Sequence, residues 1–181
     1  MAGMRADRQR GQITHCVFCG SPTLTKEHVF SRWSHRLMPP RERGRASSFR
    51  AMQYAEHSES AVHKFPGAMR DWQIRCVCGG TQQTCNGGWM KHIEDAARPA
   101  LARLIRGEST RLQVTEQRIV ATWAVLKSMI SEYHPGENQT THHGHRRELM
   151  RRKLPPARGW GVWIGYYERS RSNRLRKIVQ V

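Results

Sequence analysis

Five cysteines, a Glu-His pair and one asparagine carry the chemistry of this chain. Cys16 and Cys19 form a Cys-x-x-Cys pair followed by Gly20, a spacing that lets two thiolates from one tight turn bind one metal ion. Two ligands do not fill a tetrahedral site. The second pair is offered downstream, as Cys78 with Cys85 or as Cys76 with Cys85. Cys76 and Cys78 share a face of a regular strand, so alternation does not choose between them. Position favours Cys78, beside Gly79 and Gly80 where the backbone turns freely, with Cys76 left as a small buried residue. The expected structural zinc ligands are Cys16, Cys19, Cys78 and Cys85. In a reducing compartment, clustered cysteines point to metal rather than to disulfides.

Glu27 and His28 follow the first pair in KEHVF, and Asn86 follows Cys85 directly. One ion tying the two cysteine clusters together would bring Glu27 and His28 close to Asn86. A neutral imidazole, with an unperturbed pKa of about 6.5, takes a proton from water near neutral pH. A carboxylate and a carboxamide oxygen are hard donors suited to Mg2+ or Mn2+. A helix N-terminus favours a phosphate nearby. Together these are the parts of a hydrolytic site.

Two strands and a helix must position these groups. A strand is expected over roughly Leu24 to Phe30, and a second over DWQIRCVC, where Trp72, Ile74, Cys76 and Cys78 alternate. From Trp89 the apolar period becomes helical, through Ile93, Ala97, Leu101 and Leu104, with Gly107 closing the helix and Pro99 expected to kink or divide it. A second helix is expected from about Thr115 to Tyr133, striped by Ile119, Trp123, Leu126 and Ile130. Residues 31–46 begin as a helical turn that Pro39 and Pro40 end. Residues 47–54 suit a strand, HKFPGAMR reads as turn, and residues 136–159 as a mobile loop or broken helix. The C-terminal stretch from Gly159 reads as a β-hairpin.

The chain carries 31 Lys and Arg against 14 Asp and Glu, a formal charge of +17, which repels itself unless a polyanion compensates it. Nucleic acid is the leading partner. The N-terminus lacks the apolar core of a signal peptide, and no apolar run approaches the roughly 20 residues that span a bilayer. The expectation is a cytoplasmic protein. Its organisation reads as a basic disordered arm (1–11), a metal-stabilised core (12–107) and a helical and hairpin extension packed on it (108–181).

The motifs CVFCG, LTKEHVF and CNGGWM together resemble the HNH endonuclease family, in particular a phage-type branch that joins EHV to CN-x-GWM and a following helix. The similarity covers about residues 13–107, and the ATWAVLK and VWIGYY segments resemble the same branch. The resemblance implies an α+β fold: a ββα-metal core pinned by a four-cysteine zinc, with further helices and a C-terminal β-hairpin. It implies metal-dependent DNA cleavage leaving 5′-phosphate and 3′-hydroxyl ends, in a phage or prophage setting, alone or within a phage or defence assembly. By position, His28 resembles the general base, and Glu27 and Asn86 resemble the ligands of a catalytic Mg2+ or Mn2+. The chain departs from the family in having Glu27 where an aspartate is usual, no asparagine between residues 28 and 86, and a lengthened second cysteine cluster.

Arg32, Arg36, Arg41, Arg43, Arg45 and Arg50, with Arg146, Arg147, Arg151 and Arg152, are candidate phosphate contacts. His92 reads first as a solvated helix-face residue, His142, His143 and His145 as part of a basic loop, and Trp89 and Met90 as core. The alternative function is a zinc-stabilised nucleic-acid-binding protein without cleavage activity.

Overall fold

The structure, a computed structural model, describes residues 13–37, 73–134 and 139–166, with the backbone of strand segments at 49–51, 54–55, 58–59, 63–65 and 177–179. The basic arm, Arg41, Arg43, Arg45 and the connection between the two C-terminal strands lie outside the described residues. The fold is α+β; the described residues form small antiparallel strand pairs and three α-helices.

Strand β1 (Leu24–His28) is followed by a 3-10 turn at Arg32–Arg36. Four short strands come next: β2 (Phe49–Ala51), β3 (Tyr54–Ala55), β4 (Ser58–Glu59) and β5 (His63–Phe65). β2 pairs with β5, so His63–Phe65, expected as a turn, is a strand. Strand β6 (Gln73–Cys78) pairs antiparallel with β1. Helix α1 (Lys91–Ile105), helix α2 (Val114–Ser131) and helix α3 (His143–Arg152) precede β7 (Ile164–Tyr166) and β8 (Lys177–Val179), which pair antiparallel.

The β1–β6 register runs Leu24 to Cys78, Thr25 to Val77, then Lys26 to Arg75, with a bulge at the step. Cys76 is the extra residue. A bulge breaks the simple alternation of a strand, so Cys76, Val77 and Cys78 are buried in succession. The expectation that Cys76 and Cys78 share one face of a regular strand is corrected by this bulge.

Pro99 does not divide α1, which runs on to Ile105. A proline inside a helix leaves one carbonyl without its helix partner. Here that carbonyl belongs to Asp95, and both Asp95 and Pro99 are exposed. Gly107 takes the left-handed conformation at φ 71°, which ends the helix as expected. The segment expected as a broken helix contains α3. The His142 ring accepts a hydrogen bond from Gly144 N–H at its start, and Lys153, at φ 56°, closes it by donating to the Leu149 carbonyl at 2.8 Å.

Helix α2 is the organising element. It packs on α1, α3 and β6. Val120, Val125, Leu126, Met129 and Ile130 are all buried, more of its circumference than a single stripe. Its lower half joins Ala97, Ala100, Leu101 and Leu112 in one apolar cluster. Its upper half joins Leu24, Ile74, Val77, Met90, Ile93 and Leu149 in another, which also holds the cysteines. Each fully buried leucine or isoleucine of this kind contributes about 1.5–3 kcal/mol. Among the described residues, no helix is long and apolar enough to cross a membrane.

Candidate metal centre and active-site cavity

Four cysteines meet at one end of the β1–β6 pair. The sulfurs of Cys16, Cys19, Cys78 and Cys85 all lie within 4.8 Å of one another, and those of Cys19 and Cys78 are 3.5 Å apart. Tetrahedral zinc with Zn–S bonds of about 2.3 Å sets its sulfurs roughly 3.8 Å apart, so the cluster fits such an ion in both donor type and size. The turn from Cys16 is closed by Gly20, at φ 79°, whose N–H donates to the Cys16 carbonyl at 2.8 Å. The Cys85 N–H points at the Cys78 sulfur, 3.2 Å away. The Cys85 thiol donates to Cys16, which holds Cys16 down at about 4 and pushes Cys85 up. Cys76 stands outside the cluster and is fully buried, and that burial pushes its thiol up to about 12.

Directly after Cys85 the chain makes a kinked turn, Asn86–Met90, with Gly88 off the helical conformation at φ −100° and ψ −111°, before α1 begins. The glycines in CNGGWM have a steric reason. A Cβ on Gly87 would collide with the Thr81 carbonyl, and one on Gly88 with the Gln82 carbonyl. Only glycine lets the 81–84 turn lie against the start of this helix. Asn86 lines a cavity of about 650 Å³, together with Lys26, Glu27, His28, Arg32 and Glu94.

His28 is half-buried on the last residue of β1. Its Nε2 lies 2.9 Å from the side-chain nitrogen of Gln73, its register partner on β6. The ring of His35 stands edge-on to it at 5.9 Å, held by a 3.2 Å bond from His35 Nε2 to the Phe30 carbonyl. Burial lowers the pKa of His28. The attraction of Glu27 opposes this, and the positive charges of His35, Arg32 and Lys127 add to it. The shift favours the neutral imidazole, the form a base requires.

Glu27 is buried, and its Oε1 accepts from the Lys127 ammonium at 2.5 Å. Lys127 also donates to the His28 carbonyl at 2.9 Å and stands 3.3 Å from Glu94 Oε2. The structure thus brings Glu27, His28 and Asn86 to one cavity together with Glu94, and sets Gln73, Lys127 and His35 against Glu27 and His28; the motifs single out none of these four. One signal for Lys127 is present in the sequence. It is the only charged residue between Ile119 and Ile130, in a run otherwise suited to a core. Gln73 carries no comparable signal, since its importance depends on register. The donor set at the cavity, carboxylate and carboxamide oxygens, fits a hard divalent cation.

The candidate phosphate contacts separate clearly. Arg32 lines the cavity, and Arg36, Arg147 and Arg151 are exposed. Arg152 pairs with Glu148 at 2.7 Å. Arg146 is a correction: it is buried, ion-paired to Glu132 at 3.0 Å and stacked over the Tyr133 ring at 5.0 Å, so it braces α3 and offers nothing to a surface partner. His92 is exposed and does not line the cavity.

Compared with protein-family models, curated proteins and solved structures, the chain matches none.

Proposed function

We propose that this protein is a metal-dependent DNA endonuclease of HNH type, phage or prophage encoded and acting in the cytoplasm, with a structural zinc held by Cys16, Cys19, Cys78 and Cys85. The observation that carries the reading is the shared cavity: a neutral histidine, a carboxylate and a carboxamide from distant parts of the sequence line one cleft with Lys26, Arg32 and Lys91. His28 takes the proton from a water as that water attacks phosphorus, and Gln73 orients its ring. Arg32, Lys26 and Lys91 draw the phosphate in. Glu27 and Asn86 would hold Mg2+ or Mn2+, which supplies charge stabilisation at the phosphate and the leaving oxygen. The sulfur cluster acts at a distance by fixing Cys85, and with it the neighbouring Asn86, against β6.

A second reading is favoured by one observation. The Lys127 ammonium already neutralises Glu27, as suits a zinc-stabilised DNA-binding protein without cleavage activity. Incubating the pure protein with supercoiled plasmid and Mg2+, Mn2+ or chelator separates the two. Nicked or linear product that depends on the cation supports the nuclease. Salt-sensitive plasmid binding with no product under any cation supports the binding protein.

A further inference from the structure

We propose that Lys127 is a positioning residue of this cavity: it clamps Glu27 and Glu94, carboxylates from two different elements, against one ammonium and so sets the charge that an entering cation meets. The inference rests on the nuclease reading for the identity of that cation, Mg2+ or Mn2+.

A buried lysine needs partners for all three N–H groups. Lys127, 5% exposed, donates to Glu27 Oε1 and the His28 carbonyl and is ion-paired with Glu94 Oε2. These acceptors come from β1 and α1, while the lysine comes from α2. The ammonium therefore ties β1 and α1, which both line the cavity, to α2. Its two arms differ. The 2.5 Å bond to Glu27 is direct and buried, while the 3.3 Å approach to Glu94 is longer and that side chain is 24% exposed. Glu27 commits one oxygen to the ammonium, which leaves the other for a cation. Glu94 lines the same cavity and is the looser partner.

The charges follow. Two carboxylates alone present two negative charges, and with Lys127 the trio presents one. A cation entering beside Glu27 and Asn86 meets a moderated field and a carboxylate held in one orientation. Removing the ammonium frees the carboxylate but leaves it disordered, so cation affinity rises while productive geometry is lost.

The test measures Mn2+ binding to zinc-loaded protein without DNA, by the paramagnetic resonance of free Mn2+. It compares wild type with Lys127→Met, Lys127→Arg and Glu94→Gln, with thermal melts reporting the fold. Lys127→Met should bind Mn2+ about tenfold or more tightly, because a positive charge a few ångströms away is gone, yet cut plasmid more slowly at saturating Mn2+. Lys127→Arg should return to wild-type affinity and recover part of the cleavage. Glu94→Gln removes a negative charge and should bind about tenfold more weakly. Wild-type affinity in both Lys127→Met and Glu94→Gln overturns the proposal, as does Mn2+ binding by none of the proteins. If Lys127→Met does not fold, Glu94→Gln and Lys127→Arg decide, and unchanged affinity in Glu94→Gln overturns it. A wild type that shows the binding pattern but cuts no DNA defeats the nuclease reading and leaves the role of Lys127 standing. A wild type that cuts DNA without the pattern defeats the role of Lys127 alone.

Discussion

The side chain of Gln73 reaches His28 Nε2 at 2.9 Å, across the strand pair in which the two residues are register partners. A glutamine amide can accept or donate here. As placed, the Gln73 amide nitrogen donates to the Nε2 lone pair and the ring proton sits on Nδ1; turned over so that its oxygen faces Nε2, the amide would accept from Nε2–H and free the Nδ1 lone pair, the arrangement a general base requires. Gln73→Leu keeps the bulk and removes the bond. Plasmid cleavage should fall about tenfold to a hundredfold, the range seen on removing a partner that orients a reacting or metal-bound histidine, while KM and the thermal melt stay near wild type. A rate equal to wild type would leave Gln73 with no part in the reaction.

His28 itself should show the largest rate effect with the smallest structural one. His28→Ala is expected to slow cleavage by about 10²- to 10⁴-fold, as loss of a general base does, with DNA affinity nearly unchanged. The pH profile is a second signature. Burial lowers the His28 pKa, so the ring stays neutral to lower pH and the acid limb of the rate should fall below the unperturbed value of about 6.5. The stability sign agrees. A depressed pKa contributes stability that is present above the unfolded value and is lost as pH falls through the folded one. An acid limb above 6.5 would contradict the assignment.

The four-cysteine cluster makes a contrast between neighbours. Cys78→Ser should lose bound zinc and melt at lower temperature, since a structural site contributes folding energy directly. Cys76→Ser should retain stoichiometric zinc and lose only modest stability, because Cys76 is buried outside the sulfur cluster. Zinc counted by mass spectrometry under native conditions decides it. Zinc retained in the first variant and lost in the second would move the ligand role to Cys76.

Much of this is legible in the sequence, for reasons of period and spacing. The expected strand around Glu27 and His28, the helical period after Trp89, the stop at Gly107 and the apolar stripe of α2 all reappear, because each rests on local pattern. What depends on meetings between distant segments does not. The bulge at Cys76 is a property of the pairing of two strands. Lys127 meets Glu27 across a separation of 100 residues. Helix α3 is hidden by its composition: a run of His and Arg reads as loop until Glu132 is seen gathering Thr140, Thr141 and Arg146.

That same gathering sorts the arginines. Arg147 and Arg151 are exposed on α3, whereas Arg146, one residue away, is committed to Glu132 and Tyr133. Replacing Arg147 and Arg151 together with alanine should leave the melt unchanged and flatten the salt dependence of DNA binding, by about 0.9 in log–log slope for each phosphate no longer neutralised. Arg146→Ala should do the opposite. It leaves the mostly buried Glu132 carboxylate without its ion-pair partner, at a cost of about 3–5 kcal/mol for a buried pair broken on one side, while the slope of the protein that remains folded is unchanged. Fluorescence anisotropy of a labelled duplex across a salt series, beside thermal melts, reads both quantities. A flattened slope with an unchanged melt in Arg146→Ala would return Arg146 to the DNA-binding surface, and an unchanged slope in the double variant would remove α3 from it.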